Sequence, residues 1–216
     1  YNPSRETGKM RYSQSHKDET HTRILKIAGR ALRTKGPEGV AVAEVMREAG
    51  LTHGGFYAHF KSKDDLLVEA LEGVFRASKD KFAKALEGMP PHHALGAYID
   101  FYVSASHRDN PSSGCPITAL NSDMPRQPKR LRTAFDAGVK RLVANLAERI
   151  AECDIAKGGE ADALAASVFS AMAGAVAVSR AVSDKRLSDE MLETARNSIK
   201  TRLGVDDASL SGKWMQ

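Results

Sequence analysis

Residues 36–66 read G-P-E-G-V-A-V-A-E-V-M-R-E-A-G-L-T-H-G-G-F-Y-A-H-F-K-S-K-D-D-L. Val42, Val45, Met46 and Ala49 fall three, four and seven apart, which is one face of a short helix. Gly50 stands where a left-handed residue closes it. Thr52 is placed to cap a further short helix, in which Phe56 and Phe60, four apart, share the inner face above Leu51. That leaves His53, Gly54, Gly55, Tyr57 and His59 on the outer face. Ser62 before Lys63-Asp64-Asp65 is a cap with an acidic first turn. Behind it Leu66, Leu67, Ala70, Leu71, Val74 and Phe75 carry a long helix to about residue 86. Two short helices joined by a tight turn, flanked by longer ones, predict a helix-turn-helix unit.

Upstream, Ile24, Ile27, Ala28, Ala31 and Leu32 keep helical spacing from a capping-box-like start at Ser15 and Asp18 until Gly36-Pro37 stops the run. Residues 1–14 are polar and aperiodic, contain Arg5, Lys9 and Arg11, and read as a mobile basic arm. Downstream, residues 92–106 form a fifth helix, residues 107–114 a loop, and Pro116 opens a short sixth helix at its first position. Pro125 and Pro128 interrupt the chain before a seventh helix at 129–153. An eighth, rich in small residues, follows Gly158-Gly159, and a ninth starts at Ser188, with Leu187 and Leu192 as a hydrophobic staple, and ends near Gly204. No strand alternation or internal repeat is present. The expected class is all-α with about nine helices: an arm (1–14), a three-helix head (15–63) and a helical-bundle body (64–216).

Charge is divided along the chain. Residues 1–63 hold 12 Lys/Arg against 6 Asp/Glu and the remainder 20 against 21, so only the head carries the excess that makes the whole chain +5. A solvated basic face would look the same, but this division suits a molecule that meets a polyanion at one end. Cys115 and Cys153 are too few for a disulfide framework and too far apart for a metal motif, so no metal or cofactor is expected. The longest apolar stretch, 161–182, is bounded by charge and reads as a buried helix rather than a membrane span. No export signal follows Tyr1, and the expected compartment is a reducing cytoplasm.

A segment that reads DNA must offer small or hydrogen-bonding groups to base edges while its neighbours grip phosphate. Gly54 and Gly55 allow close backbone approach, His53 and Thr52 can bond base or phosphate, and Tyr57 and His59 can donate to phosphate. Lys61 and Lys63 flank a helix N-terminus that itself favours an anion. The alternative is that Tyr57 and His59 merely pack between helices. The block V-A-E-V-M-R-E-A-G-L-T-H-G-G-F-Y-A-H-F-K-S-K-D-D-L resembles the signature of TetR-family transcriptional repressors, and the order of helices behind it is similar to their C-terminal domain. The resemblance implies operator contacts by Thr52, His53, Gly55, Tyr57, His59 and Lys63. It also implies a palindromic double-stranded site read by a homodimer joined through the last two helices. Two positions depart from the pattern: Ala41, where Ser or Thr usually caps the second helix, and Gly55, commonly Thr.

A repressor of this kind needs an effector that binds its two states unequally. Tyr98, Phe101, Tyr102, Met124, Phe135, Phe169 and Met172 are candidates to line an apolar pocket, although most such residues are plain core. Cys115 falls at the N-cap of the short sixth helix, a place that favours thiolate, and His107 and Arg108 stand ready to add positive potential. Some relatives with a Gly-Cys pair here sense electrophiles. A packing residue in a tight turn reads equally well, and Cys153 is expected to be inert. The rival functions are a thiol-dependent enzyme acting through Cys115, for which no catalytic constellation is recognisable, and a DNA-binding protein without ligand.

Overall fold

The structure, a computed structural model, describes residues 4–205, with side chains from His16 onward. It consists of nine α-helices and three one-turn 3-10 segments, and no strand is present among the described residues. The α-helices are α1 (Ser4–Lys35), α2 (Val42–Glu48), α3 (Lys63–Ala85), α4 (Pro91–Tyr102), α5 (Ala105–Asp109), α6 (Pro116–Leu120), α7 (Lys129–Glu152), α8 (Gly159–Ala181) and α9 (Lys185–Leu203).

Four boundaries differ from the sequence reading. α1 begins at Ser4 rather than Ser15; once a helix is nucleated each added residue costs little, and between Ser4 and Ser15 only Gly8 weakens propagation. The side chains of Arg5, Lys9 and Arg11 lie outside the described residues. The third helix is a 3-10 turn, His53–Ala58. The fifth breaks at Val103, because Ser104 Oγ accepts the His107 N–H at 3.1 Å and starts α5 inside the expected loop. α9 starts at Lys185, since Asp184 accepts from the N–H groups of Arg186 and Leu187 and outcompetes Ser188 as the cap. Leu187 is consequently exposed, and the staple to Leu192 does not form.

The head packs Ile24, Ala28 and Leu32 of α1 against Val45 and Met46 of α2 and against Phe56 and Phe60, all buried, and continues into Leu66, Leu67 and Leu71 of α3. Gly50 has φ +75°, which turns the chain from α2 into the 3-10 segment at no steric cost. α3 runs unbroken from the head into the body, where it packs on α7, while α8 packs on α7 and α9. The helix α8 is long and apolar enough to cross a membrane, the one such helix among the described residues, yet it is a packed member of the bundle. Head and body also meet through side chains. Arg130 of α7 pairs with Asp65, and Gln127 donates to Glu38 at 3.4 Å.

Two buried charge clusters tie the body together. Lys200 of α9 pairs with Asp100 of α4 at 3.1 Å, both nearly inaccessible. Arg108 reaches Ser188 and Asp189 of α9 at 2.6 Å. Arg180 of α8 donates to the carbonyls of His107, Arg108 and Thr118, satisfying groups that short helices leave unpaired at their ends.

Candidate DNA-reading surface and effector cavity

At the tip of the head the chain Thr52–Phe60 divides as its pattern requires. Phe56 and Phe60 are 2% and 3% exposed and their rings stack at 5.6 Å, whereas Tyr57 is 70% exposed. An aromatic side chain standing in solvent beside a satisfied core is not explained by packing. Thr52, His53, Gly54 and Lys61 are also open, while Gly55, His59 and Lys63 are half-buried. Thr52 does not cap the turn with its side chain; its carbonyl accepts from Gly55 N–H instead, which leaves the hydroxyl unused by the backbone.

His59 is less available than its position suggests. It lies beside His21 and Phe60, its Nδ1 is buried without a partner, and burial first and then the nearby His21 and Lys17 depress its pKa, so its ring is biased toward the neutral form. Lys63 Nζ turns toward the Glu38 carbonyl at 3.4 Å. It is nevertheless the first residue of α3, whose N-cap Ser62 accepts the Asp65 N–H at 3.1 Å. The hydrogen bond from Arg130 holds the Asp65 carboxyl below the usual range. Ala41 sits at the N-cap of α2 and supplies no cap hydrogen bond.

In the body a cavity of about 590 Å³ opens between α3, α4 and α7. Its walls carry Phe75 and Phe82 of α3, Tyr98 of α4, and Leu142 and Leu146 of α7, and Tyr102 and Cys115 form its closed end. The mouth is charged, with Arg76 and Lys79 on one side and Arg141, Glu148 and Glu152 on the other. Of the seven residues with which sequence reasoning populated the pocket beside Cys115, only Tyr98 and Tyr102 line it. Phe101 packs at the outer face of α4 on Phe82 and His107. Phe135 packs against Phe75, Phe169 against the far side of Tyr102, and Met124 and Met172 are core. The residues missed, Phe75, Phe82, Leu142 and Leu146, belong to α3 and α7, where their spacing marked an inner face but not a void. Gly138 of α7 contributes by what it lacks, because a Cβ there would fall 2.1 Å from the Phe75 ring.

Cys115 is the N-cap of α6, as expected, but it is 8% exposed, and burial pushes its thiol pKa up despite the helix N–H groups and Arg33 pulling the other way. The expected help from His107 and Arg108 is absent. Arg108 is engaged by Asp109, Ser188 and Asp189. His107 is neutral: its Nδ1 lies 2.7 Å from the Tyr102 carbonyl, which only accepts, so Nδ1 carries the proton and Nε2 accepts the Cys115 N–H at 2.9 Å. Burial pushes the His107 pKa down to about 4. One imidazole therefore clips together the backbones of the two residues that close the cavity. Gly114 makes room for it, since a Cβ there would lie 2.7 Å from the ring. Beyond Cys115 stands Arg33 of α1, its Nε buried without a partner and its pKa lowered by burial, so the closed end of the cavity abuts the head. The second thiol, Cys153, is buried at the C-terminus of α7 and its pKa is raised by burial. Among the described residues no cluster of potential metal ligands exists.

Residues 24–70 match the profile of bacterial regulatory proteins of the tetR family, and residues 91–196 match that of the LmrA/YxaF-like transcriptional regulator C-terminal domain. The chain is 34% identical over 97 residues to the uncharacterized HTH-type transcriptional regulator YerO of Bacillus subtilis, covering 43% of this chain and 34% of that one. It is 22% identical to the HTH-type transcriptional repressor NemR of Escherichia coli over 61% of this chain and 67% of the other. The alignments thus span about a third of YerO and, for the B. subtilis regulator YfiR, 65%. The reduced form of E. coli NemR superimposes with a TM-score of 0.73 at 21% identity, over 85% of this chain and 96% of that one. A TetR regulator from Chloroflexus aurantiacus gives 0.69 at 26% identity over 87% and 95%.

Proposed function

The chain belongs to the tetR family of bacterial regulatory proteins, and from that premise we propose that it is a homodimeric DNA-binding repressor. It leaves its operator when the cavity between α3 and α7 is occupied or when Cys115 is modified. The observation that carries the DNA-binding half is the division of residues 52–60: two buried phenylalanines anchor the segment while Thr52, His53, Gly54 and Tyr57 face solvent, with Lys61 beside them and Lys63 opening α3. Side chains so presented suit base edges and phosphates, and the backbone at Gly54 and Gly55 permits close approach.

Dimerisation rests on the outward stripe of α8. Ala163, Ala166, Ser170, Ala171, Gly174 and Val178 recur at helical spacing, all exposed, and Leu187 of α9 is exposed too. Small residues let a second pair of helices approach closely, and two heads held by one bundle read two half-sites with the gain of effective concentration. The cavity supplies the effector site. Its closed end reaches α6 and Arg33 of α1, so filling it strains the contact on which the head rests. Because burial keeps the Cys115 thiol protonated, any covalent step is limited to molecules that enter the cavity, and stoichiometric labelling rather than turnover is the outcome that separates a sensor from an enzyme.

Fluorescence anisotropy with the promoter region of the chain's own gene tests the reading. Sequence-specific binding that weakens steeply with salt is expected; binding that no small molecule, quinone, aldehyde or hypochlorite reverses removes the effector half, and absence of specific binding removes the whole. Mass spectrometry after the same treatments should find Cys115 modified before Cys153, and Cys115→Ser should abolish release by those agents.

A further inference from the structure

The cavity has a feature that its role as an effector site does not by itself predict. The hydroxyl of Tyr102, a residue with no solvent exposure, is buried without a hydrogen-bond partner at the closed end. Buried hydroxyls are nearly always satisfied, and an orphan is costly. The polar group beside it is the Cys115 thiol, a weak acceptor at best, and no hydrogen bond of sound geometry joins them. Tyr102 is not free to turn elsewhere. Its backbone carbonyl is held by His107, the His107 ring meets its ring edge-on at 4.7 Å, and Phe169 packs on it at 5.9 Å. The hydroxyl is therefore a fixed donor facing an empty acceptor position.

We infer that the cavity takes an uncharged aromatic molecule carrying a hydrogen-bond acceptor, such as a carbonyl oxygen, which lies at the closed end and accepts from Tyr102 Oη while its ring lies among Phe75, Phe82 and Tyr98. The ring preference follows from the walls: Phe82 and Tyr98 meet edge-on at 5.0 Å, an arrangement that a further aromatic face extends. The absence of charge follows from the closed end, where no cationic or anionic side chain lines the cavity beside Tyr102 and Cys115. The charged groups stand at the mouth, and Arg33 approaches Cys115 without lining the void. An ion pushed to this depth loses its hydration without gaining a partner. The inference rests on the reading of this cavity as the effector site and names what that site selects.

Isothermal titration calorimetry of the full chain with three unreactive probes of one shape decides it: 2-acetylnaphthalene, 2-isopropylnaphthalene and 2-naphthoate. The ketone is expected to bind about tenfold tighter than the hydrocarbon, equivalent to about 1.4 kcal/mol, and the carboxylate weakest. Tyr102→Phe should bring the ketone down to the level of the hydrocarbon and leave the hydrocarbon unchanged, whereas Cys115→Ser should preserve the ketone preference. Equal binding of ketone and hydrocarbon, tighter binding of the carboxylate, or an equal loss of both neutral probes in Tyr102→Phe overturns the inference. If Tyr102→Phe does not fold, the three-probe comparison on the unaltered chain still decides it. Operator release by the ketone is measured separately: binding with the stated selectivity but without release leaves the ligand class standing and removes the regulatory reading.

Discussion

Replacing His107 by Gln should flatten the acid limb of the protein's stability. In the native fold the imidazole donates from Nδ1 to the Tyr102 carbonyl, accepts from the Cys115 amide at Nε2, and is 3% exposed. A second proton would have to occupy Nε2, displace the Cys115 N–H and charge a ring that has no solvent, which is why its pKa falls from 6.5 to about 4. Between those values the unfolded chain holds a proton that the native one refuses, so folding stability is intact above pH 6.5 and declines as pH falls toward 4. From pH 6.5 to 4.5, two units at 1.36 kcal/mol each amount to about 2.7 kcal/mol, a large share of a typical stability of about 5–15 kcal/mol. Gln fills much of the same space, can donate and accept, and does not titrate. Urea denaturation at fixed protein concentration, run from pH 7 to 4.5 on both proteins, should show the wild type losing about 2–3 kcal/mol more than the variant over that interval. Parallel pH profiles, or an imidazole resonance of His107 that titrates near 6.5, would refute the buried neutral clip.

Other outcomes follow from single contacts. Gly138→Ala drives a methyl group into Phe75, so it should lower stability by about 1–3 kcal/mol by thermal melting and weaken binding of any cavity ligand. Asp100→Ala leaves the Lys200 ammonium buried without its carboxylate and should cost about 3–5 kcal/mol in denaturant titrations; an effect under 1 kcal/mol would mean that the pair is solvated. Lys61→Ala, at an exposed position beside the recognition segment, should weaken binding to all duplexes alike and reduce the log–log salt slope by about one, while Tyr57→Ala should weaken operator binding without changing the melting temperature.

Much of this was legible in the chain because punctuation residues act locally. Gly50, Ser62 and Pro116 each impose or satisfy a backbone geometry within three residues of themselves, and each stands where its chemistry placed it. The Phe56/Phe60 pair was equally plain, since a four-residue spacing buries both rings on almost any right-handed turn, 3-10 or α. Competition between neighbouring caps was less visible: Asp184 and Ser188 are both good helix starters, and only the path of the chain after α8 selects the former. The cavity was least legible. Periodicity tells which face of a helix turns inward but not whether another side chain meets it, so Met172 and Phe82 look alike in sequence although one is core and the other borders a void. The thiol was misjudged for the same reason: its N-cap position is a local fact, whereas the burial that outweighs it is assembled from four helices and a neutral histidine.

The continuity of α3 bears on how such molecules can be rebuilt. Asp65 is nominally past the head, yet it answers to Arg130, and Glu38, within the head, is held by Gln127. A cut placed at residue 63 to graft this reading unit onto another sensor would sever neither a tether nor a hinge; it would strip both contacts and leave Arg130 facing a stranger's carboxylate or none. Modular exchange would succeed only if the corner formed by residues 123–130 travels with the transplant, so that what recombines as one piece is discontinuous in sequence.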